Sequence, residues 1–255
     1  MTAATVADPV LRRLLPVPLS DLVLHEDVEP ARLRDVVAGL RSAGVQRNPI
    51  LVTPFGGRWL VIDGAHRTSA LRHLGATHAL VQSFAPREYQ LDAWHHLLDG
   101  TLSGVLRGGT TSRCPACGGG AGTCLATVLT GGAVRHLWCP TTEVTAAARL
   151  MAGLVRRYAH GAGLRRVPAR DPGGGVGKVR VAWRPWSVDR LRQVVSAGSV
   201  LPTGVTRFIV PGRVLNVGLP LSLLTAPGPD GAEGIGAHLT RRRYRYYAEP
   251  VFLAE

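Results

Sequence analysis

Gly56-Gly57-Arg58-Trp59-Leu60-Val61-Ile62-Asp63-Gly64-Ala65-His66-Arg67-Thr68-Ser69-Ala70-Leu71-Arg72-His73-Leu74-Gly75 reads as a short apolar strand, an Asp-Gly turn and a helix. A helix start leaves backbone N–H groups without intrahelical acceptors and presents the positive end of the helix dipole. The turn after Ile62 therefore has the outline of an anion site. Gly64, Ala65 and His66 would supply amides there, and Arg67 and Thr68 would add side-chain donors to a bound phosphate. Ala70, Leu71 and Leu74 form a narrow apolar stripe and Gly75 stops the helix, which leaves the charged residues at its start, beside the turn. Taken alone, the Asp-Gly turn also reads as an ordinary strand–turn–helix with a solvated first turn.

Val61-Ile62-Asp63-Gly64-Ala65-His66-Arg67-Thr68-Ser69-Ala70 resembles the D-G-x-H-R box of the ParB/sulfiredoxin-like superfamily, in which this element grips nucleotide phosphates. The resemblance implies an α/β (α+β) fold, with a small mixed sheet and helices followed by a C-terminal α+β region. Sulfiredoxins carry a reactive cysteine immediately before the His-Arg pair, and this chain has Ala65 there. ParB-type DNA binders follow the box with a helix-turn-helix, which here would occupy Arg87 to Arg113. That stretch offers one helix around Leu91 to Leu98, then Gly104, Gly108 and Gly109, with no room for a recognition helix.

A third branch matches along the chain. Pro16-Val17-Pro18-Leu19, Leu24-His25-Glu26-Asp27-Val28-Glu29-Pro30, Pro49-Ile50-Leu51-Val52-Thr53, the box, Gly204-Val205-Thr206-Arg207-Phe208, Gly212-Arg213-Val214-Leu215-Asn216 and the ending Val251-Phe252-Leu253-Ala254-Glu255 are similar to the SbnI-type free L-serine kinases of siderophore biosynthesis. Dispersed motifs in the right order are more specific than one box. The resemblance implies an ATP-dependent kinase, with ATP or ADP as donor and Mg²⁺ as cofactor, that converts free L-serine to O-phospho-L-serine. That product would supply 2,3-diaminopropionate for siderophores or peptide natural products. The alternative from another class is a ParB-like nucleotide-binding, DNA-associated transcriptional regulator.

Phosphoryl transfer to the serine hydroxyl requires a carboxylate to orient and deprotonate the hydroxyl, positive charge or metal on the phosphates, and a clamp for the amino-acid carboxylate. Glu26 lies between an alternating strand with Leu22 and Leu24 and a helix opened by Pro30, with Leu33, Val36, Val37 and Leu40 at helical spacing and Gly44 at its end. A solvated loop acid reads the same way, and Glu29 fits that role better. In the kinases that the chain resembles, the glutamate of this segment is the base. Asp63 beside an anion site repels phosphate unless a cation joins them, which suggests a Mg²⁺ ligand or a group orienting the serine hydroxyl. Local hydrogen bonds of an Asp-Gly turn are the simpler account. Thr206 and Arg207 are the candidate clamp, because a guanidinium binds a carboxylate bidentately; a structural salt bridge is the alternative. The resemblance places Trp94 in the substrate pocket, although a tryptophan is more often core.

With 255 residues, of which 45% are hydrophobic, the chain can bury a sizeable core. No apolar stretch has membrane-spanning length and Met1-Thr2-Ala3-Ala4-Thr5 lacks the regions of a signal peptide, so a cytoplasmic protein is expected. The net charge of +13 is almost all arginine, since Lys178 is the only lysine, in an Ala-, Gly-, Pro- and Val-rich composition of the kind that GC-rich coding produces. Such a field favours nucleotides as well as DNA, so DNA stays a secondary partner, and a dimer is one of the assembly states left open. Arg241-Arg242-Arg243-Tyr244-Arg245-Tyr246-Tyr247 interleaves basic and aromatic residues as single-strand binders do, but reads rather as a terminal strand with an Arg face and a Tyr face.

Cys114 and Cys117 have zinc-knuckle spacing, and Cys124 and Cys139 could complete a structural zinc site, although they flank a hairpin around Gly131-Gly132. Free thiols are the alternative. Gly173-Gly174-Gly175-Val176-Gly177-Lys178-Val179 imitates a phosphate loop, but its glycine spacing is short and Val179 replaces the hydroxyl. A helix over Val144 to Tyr158, a helix capped by Ser187 and a strand pair over Thr206 to Val217 follow. Residues 1–90 are expected to form the nucleotide-binding domain. Residues 91–255, with the cysteine hairpin at 114–139, should complete the substrate cleft, because the candidate base and clamp come from opposite ends of the chain.

Overall fold

A computed structural model describes residues 10–99, 110–111, 122–159, 163–171, 177–225, 229–242 and 244. Cys114, Cys117, Gly173 to Val176, Arg243, Arg245 to Tyr247 and both chain ends lie outside the described residues, and with them parts of the knuckle, phosphate-loop and terminal-strand readings. The chain folds as two units, one of Met1–Val23, Val28–Tyr89 and Val210–Glu255, the other of Leu24–Asp27 and Gln90–Ile209. Two segments thus cross the boundary expected near residue 90.

In the first unit β1 (Leu14–Pro18), β2 (Leu22–Leu24), α1 (Pro30–Ala43), β3 (Val45–Gln46), β4 (Ile50–Phe55), β5 (Arg58–Asp63), α2 (Ala65–His73) and β6 (His78–Ser83) follow one another. Five strands form a sheet in the order β1-β6-β4-β5-β2. It is mixed: β4 runs parallel to β6 and antiparallel to β5, and β1 is antiparallel to β6. Its centre reads as continuous apolar runs because both faces are covered; Ile50, Leu51, Val52, Leu60, Val61 and Ile62 are all buried. Pro30 stands at the first turn of α1 and Gly44 caps its end, as the sequence predicts.

The second unit carries β7 (Gln90–Asp99), β8 (Thr110–Thr111), β9 (Thr123–Thr130), β10 (Ala133–Cys139), α3 (Val144–Tyr158), β11 (Arg165–Pro168), β12 (Lys178–Trp183), α4 (Val188–Ser196) and β13 (Thr206–Ile209). Its sheet runs β11-β7-β12-β9-β10-β8, with β13 pairing on β7 as well. The helix expected around Leu91 to Leu98 is therefore a strand. Local spacing was ambiguous there, and pairing with three other strands decided it. The expected hairpin is present as β9 and β10, turning at Gly131 and Gly132. Cys124 pairs with Trp138 and Cys139 with Thr123, so the two sulfurs lie on opposite faces of the hairpin. That register opposes a zinc site shared by both. Among the described residues no group of three or more His, Cys, Asp or Glu side chains could hold a metal ion.

The chain then returns to the first unit through β14 (Leu219–Pro220), α5 (Ser222–Thr225) and α6 (Pro229–Arg241). β14 pairs with β3, and Thr77 donates to the carbonyls of Leu224 and Thr225. The strand pair expected over Thr206 to Val217 is not formed: β13 takes β7 as its partner, and residues 213–218 run without regular structure. Arg241, expected in a terminal strand, ends α6 instead. Among the described residues no helix is long and apolar enough to cross a membrane.

Candidate active site

β5 delivers Asp63 and Gly64 to the start of α2. Gly64 has φ +106, a left-handed conformation that only glycine adopts readily, and a Cβ there would meet the Arg67 guanidinium at 2.9 Å. Gly64 therefore lets the chain turn into the helix and lets Arg67 fold back over the turn. As the N-cap it carries no capping side chain, and a helix start of this kind presents backbone N–H groups and the positive end of the helix dipole.

Arg67 Nη2 reaches Pro49 O at 3.3 Å and Asp63 Oδ2 at 3.5 Å, while its Nε is buried without a hydrogen-bond partner among the described residues. A buried guanidinium N–H rarely goes without an acceptor. Arg213 Nη1, from the segment before β14, donates to the same Asp63 oxygen at 2.7 Å. Burial pushes the Asp63 carboxyl up, but Arg67 and Arg213 outweigh it and hold the carboxyl below its ordinary value. Asp63 is therefore a carboxylate that gains stability from its partners above the ordinary range and loses it as pH falls through the lowered value.

Two members of the phosphate box do other work. The Thr68 hydroxyl and amide both donate to Gly64 O, at 3.0 and 2.9 Å, so the side-chain donor expected for phosphate is already committed to holding the turn. His66 is buried, and its Nε2 accepts from the Glu29 amide at 3.1 Å. Its ring proton is therefore on Nδ1, and the ring ties α2 to the start of α1.

The other candidates gather in the second unit. Glu26 Oε2 accepts from the Gly204 amide at 3.1 Å, and Glu26 bridges to Leu201. His25 is buried, with Nε2 2.8 Å from Thr206 Oγ1 and its ring edge-on to Phe208. Residues from near one end of the chain thus meet the segment 201–208. Arg207 stacks over the Trp94 ring, 4.9 Å from its centroid, and pairs with Asp92 at 3.6 Å. Trp94 and Arg207, read separately from the sequence, form one surface, and the Asp92 ion pair holds the guanidinium in place. Arg213 escaped the sequence reading although its motif had been noted. Nothing local marks that arginine; a glutamine on β6 positions it. Buried Gln82 donates to Gly212 O and accepts from Val214 N, both at 2.9 Å, and so grips the backbone on either side of Arg213.

A glycine turn with an arginine folded over it thus opens a helix on the mixed sheet of an α/β protein. No family model matches the chain. It is 32% identical over 221 residues to the ATP-dependent L-serine kinase SbnI of Staphylococcus aureus, a match covering 82% of each chain. An ATP-dependent L-serine kinase of Staphylothermus marinus is 33% identical over 103 residues, 39% of each chain. Among solved structures, SbnI of Staphylococcus aureus with a C-terminal truncation superposes with a TM-score of 0.76 at 25% identity, covering 91% of this chain and 97% of that one. A free serine kinase in complex with AMP shares the fold, with a TM-score of 0.67 at 17% identity over 83% of this chain and 93% of that one. The chain belongs to the SbnI family of ATP-dependent L-serine kinases.

Proposed function

We propose that this protein transfers the γ-phosphoryl group of ATP to the hydroxyl of free L-serine, giving ADP and O-phospho-L-serine. The observation that carries the reading is the kinship with SbnI over most of both chains. Glu26 is the base: its Oε2 is anchored by the Gly204 amide, and Oε1 is the oxygen that takes the hydroxyl proton as the new O–P bond forms. The bond between the γ-phosphorus and the β–γ bridging oxygen breaks, and ADP carries the electron pair away. The amides of Gly64, Ala65 and His66, with Arg67 and Arg213, hold phosphate oxygens and neutralise the charge that develops on them.

Both ion pairs of Asp63 fall on Oδ2, so Oδ1 fits a cation that arrives with the nucleotide. Asp63 would hold Mg²⁺ there, and the ion would supply positive charge against the phosphates. Arg207 binds the serine carboxylate against the Trp94 face, and Thr206, locked by His25, fixes the strand that carries Arg207. The reading assigns the protein to supply of phosphoserine for 2,3-diaminopropionate synthesis.

The test is to mix the protein with ATP, Mg²⁺ and serine and follow phosphoserine by mass spectrometry. Glu26→Gln should lower phosphoserine formation by on the order of a thousandfold, the middle of the range for general-base catalysis, while ATP binding measured by calorimetry stays within about twofold. Full activity in that variant would remove the base assignment.

A further inference from the structure

His96 is buried at 1% exposure in the middle of β7 and has no part in the chemistry above. Its Nε2 lies 2.8 Å from Gly204 O, a group that can only accept, so Nε2 carries the ring proton. Nδ1 is then an acceptor and lies 2.8 Å from the Tyr158 hydroxyl, which donates to it. Trp183 Nε1 donates to the Tyr158 oxygen at 3.2 Å. Gly204 in turn donates its amide to Glu26 Oε2. Every donor in this series points the same way, from Trp183 through Tyr158 and His96 to Gly204, and from Gly204 to the carboxylate. Such chains polarise one another in a buried setting.

Gly204 needs this support. It has φ +74 and no side chain of its own to anchor it, and a Cβ at this position would meet the buried guanidinium of Arg166. The Trp94 amide fixes the neighbouring Val205 carbonyl at 2.8 Å, so the residues after Gly204 are held by β7 at two points. Both peptide groups flanking the Gly204 Cα are thereby tied, one to His96 and one to Glu26. A glycine free to rotate would carry its amide away from the carboxylate.

We propose that His96, oriented by Tyr158 and Trp183, is a positioning residue for the base: by holding the Gly204 carbonyl it aims the Gly204 amide at Glu26 and keeps the carboxylate in the geometry for proton transfer. This rests on the assignment of Glu26 as base. Burial also pushes the His96 imidazole down to about 4, which keeps it neutral, with Nε2–H as donor, through the physiological range.

The test compares His96→Leu, which loses the donor, with His96→Gln, whose terminal amide occupies the place of Nε2 and keeps one. His96→Leu should lower kcat for serine phosphorylation on the order of tenfold or more, with KM for serine and Kd for ATP within about twofold, and His96→Gln should recover most of the loss. Tyr158→Phe keeps the shape of the site, loses the bond that orients the His96 ring through Nδ1, and should show a smaller kcat defect of the same kind; it carries the test if His96→Leu does not fold. An unchanged kcat in His96→Leu, or an equal fall in His96→Leu and His96→Gln, overturns the proposal, as does unchanged kcat in Tyr158→Phe where His96→Leu is not obtained. Glu26→Gln, assayed in parallel, separates the two readings. If it stays active the base assignment fails; if it is inactive while His96→Leu turns over normally, only the positioning role fails.

Discussion

Arg67 and Arg213 converge on one oxygen of Asp63, and under the proposed function that convergence makes a residue unsuited to an anion site into its scaffold. Asp63 aims two guanidinium groups, and their remaining N–H donors can face a polyphosphate. Arg213→Ala should raise Kd for ATP on the order of tenfold, the usual weight of one charge-assisted hydrogen bond, as measured by calorimetry in the presence of Mg²⁺. His96 bears on stability as well. Its folded value is depressed to about 4 from an ordinary 6.5, so the unfolded chain binds the proton more readily over that interval. Stability therefore falls as pH drops from about 6.5 and levels off below about 4. Chemical denaturation across this range should show a shallower decline in His96→Gln than in the parent protein.

Among the elements, those with both a start and a stop signal were readable before folding. Pro30 and Gly44 bound α1, Ser187 opens α4, and the Gly131-Gly132 pair turns β9 into β10. The Ser187 hydroxyl accepts from the Arg190 amide at 3.2 Å, and Ser187→Ala should cost about 1 kcal/mol in urea denaturation, with kcat unchanged. β7 was legible only as apolar and aromatic residues. Leu91 to Leu98 could pack as a helix or a strand, and three neighbouring strands with unsatisfied backbone groups settled it. The strand reading of Val214 to Val217 failed for the converse reason. Gln82 satisfies the backbone around Arg213, and Asn48 accepts from the Asn216 amide, so the segment needs no ladder partner.

For the whole molecule, the first unit draws on both ends of the chain. β3 pairs with β14, Gln82 binds Gly212 and Val214, and Thr77 binds the end of α5, all through residues beyond 209. A fragment of residues 1–90 should therefore be far less protected in amide hydrogen exchange than the same residues in the full chain, with β3 and β6 the first to show it. The strand–turn–helix box was legible in residues close in sequence, because turns, caps and periodicity act over a few residues, whereas the mixed sheet and the kinase family were legible through motifs dispersed along the chain. What only tertiary structure decided were the contacts made across long stretches of chain: Arg213 on Asp63, Arg207 on Trp94, and Gly204 held between Glu26 and His96. A side chain carries no local mark of a partner a hundred residues away, and these pairings exist because the sheets bring the backbones together first.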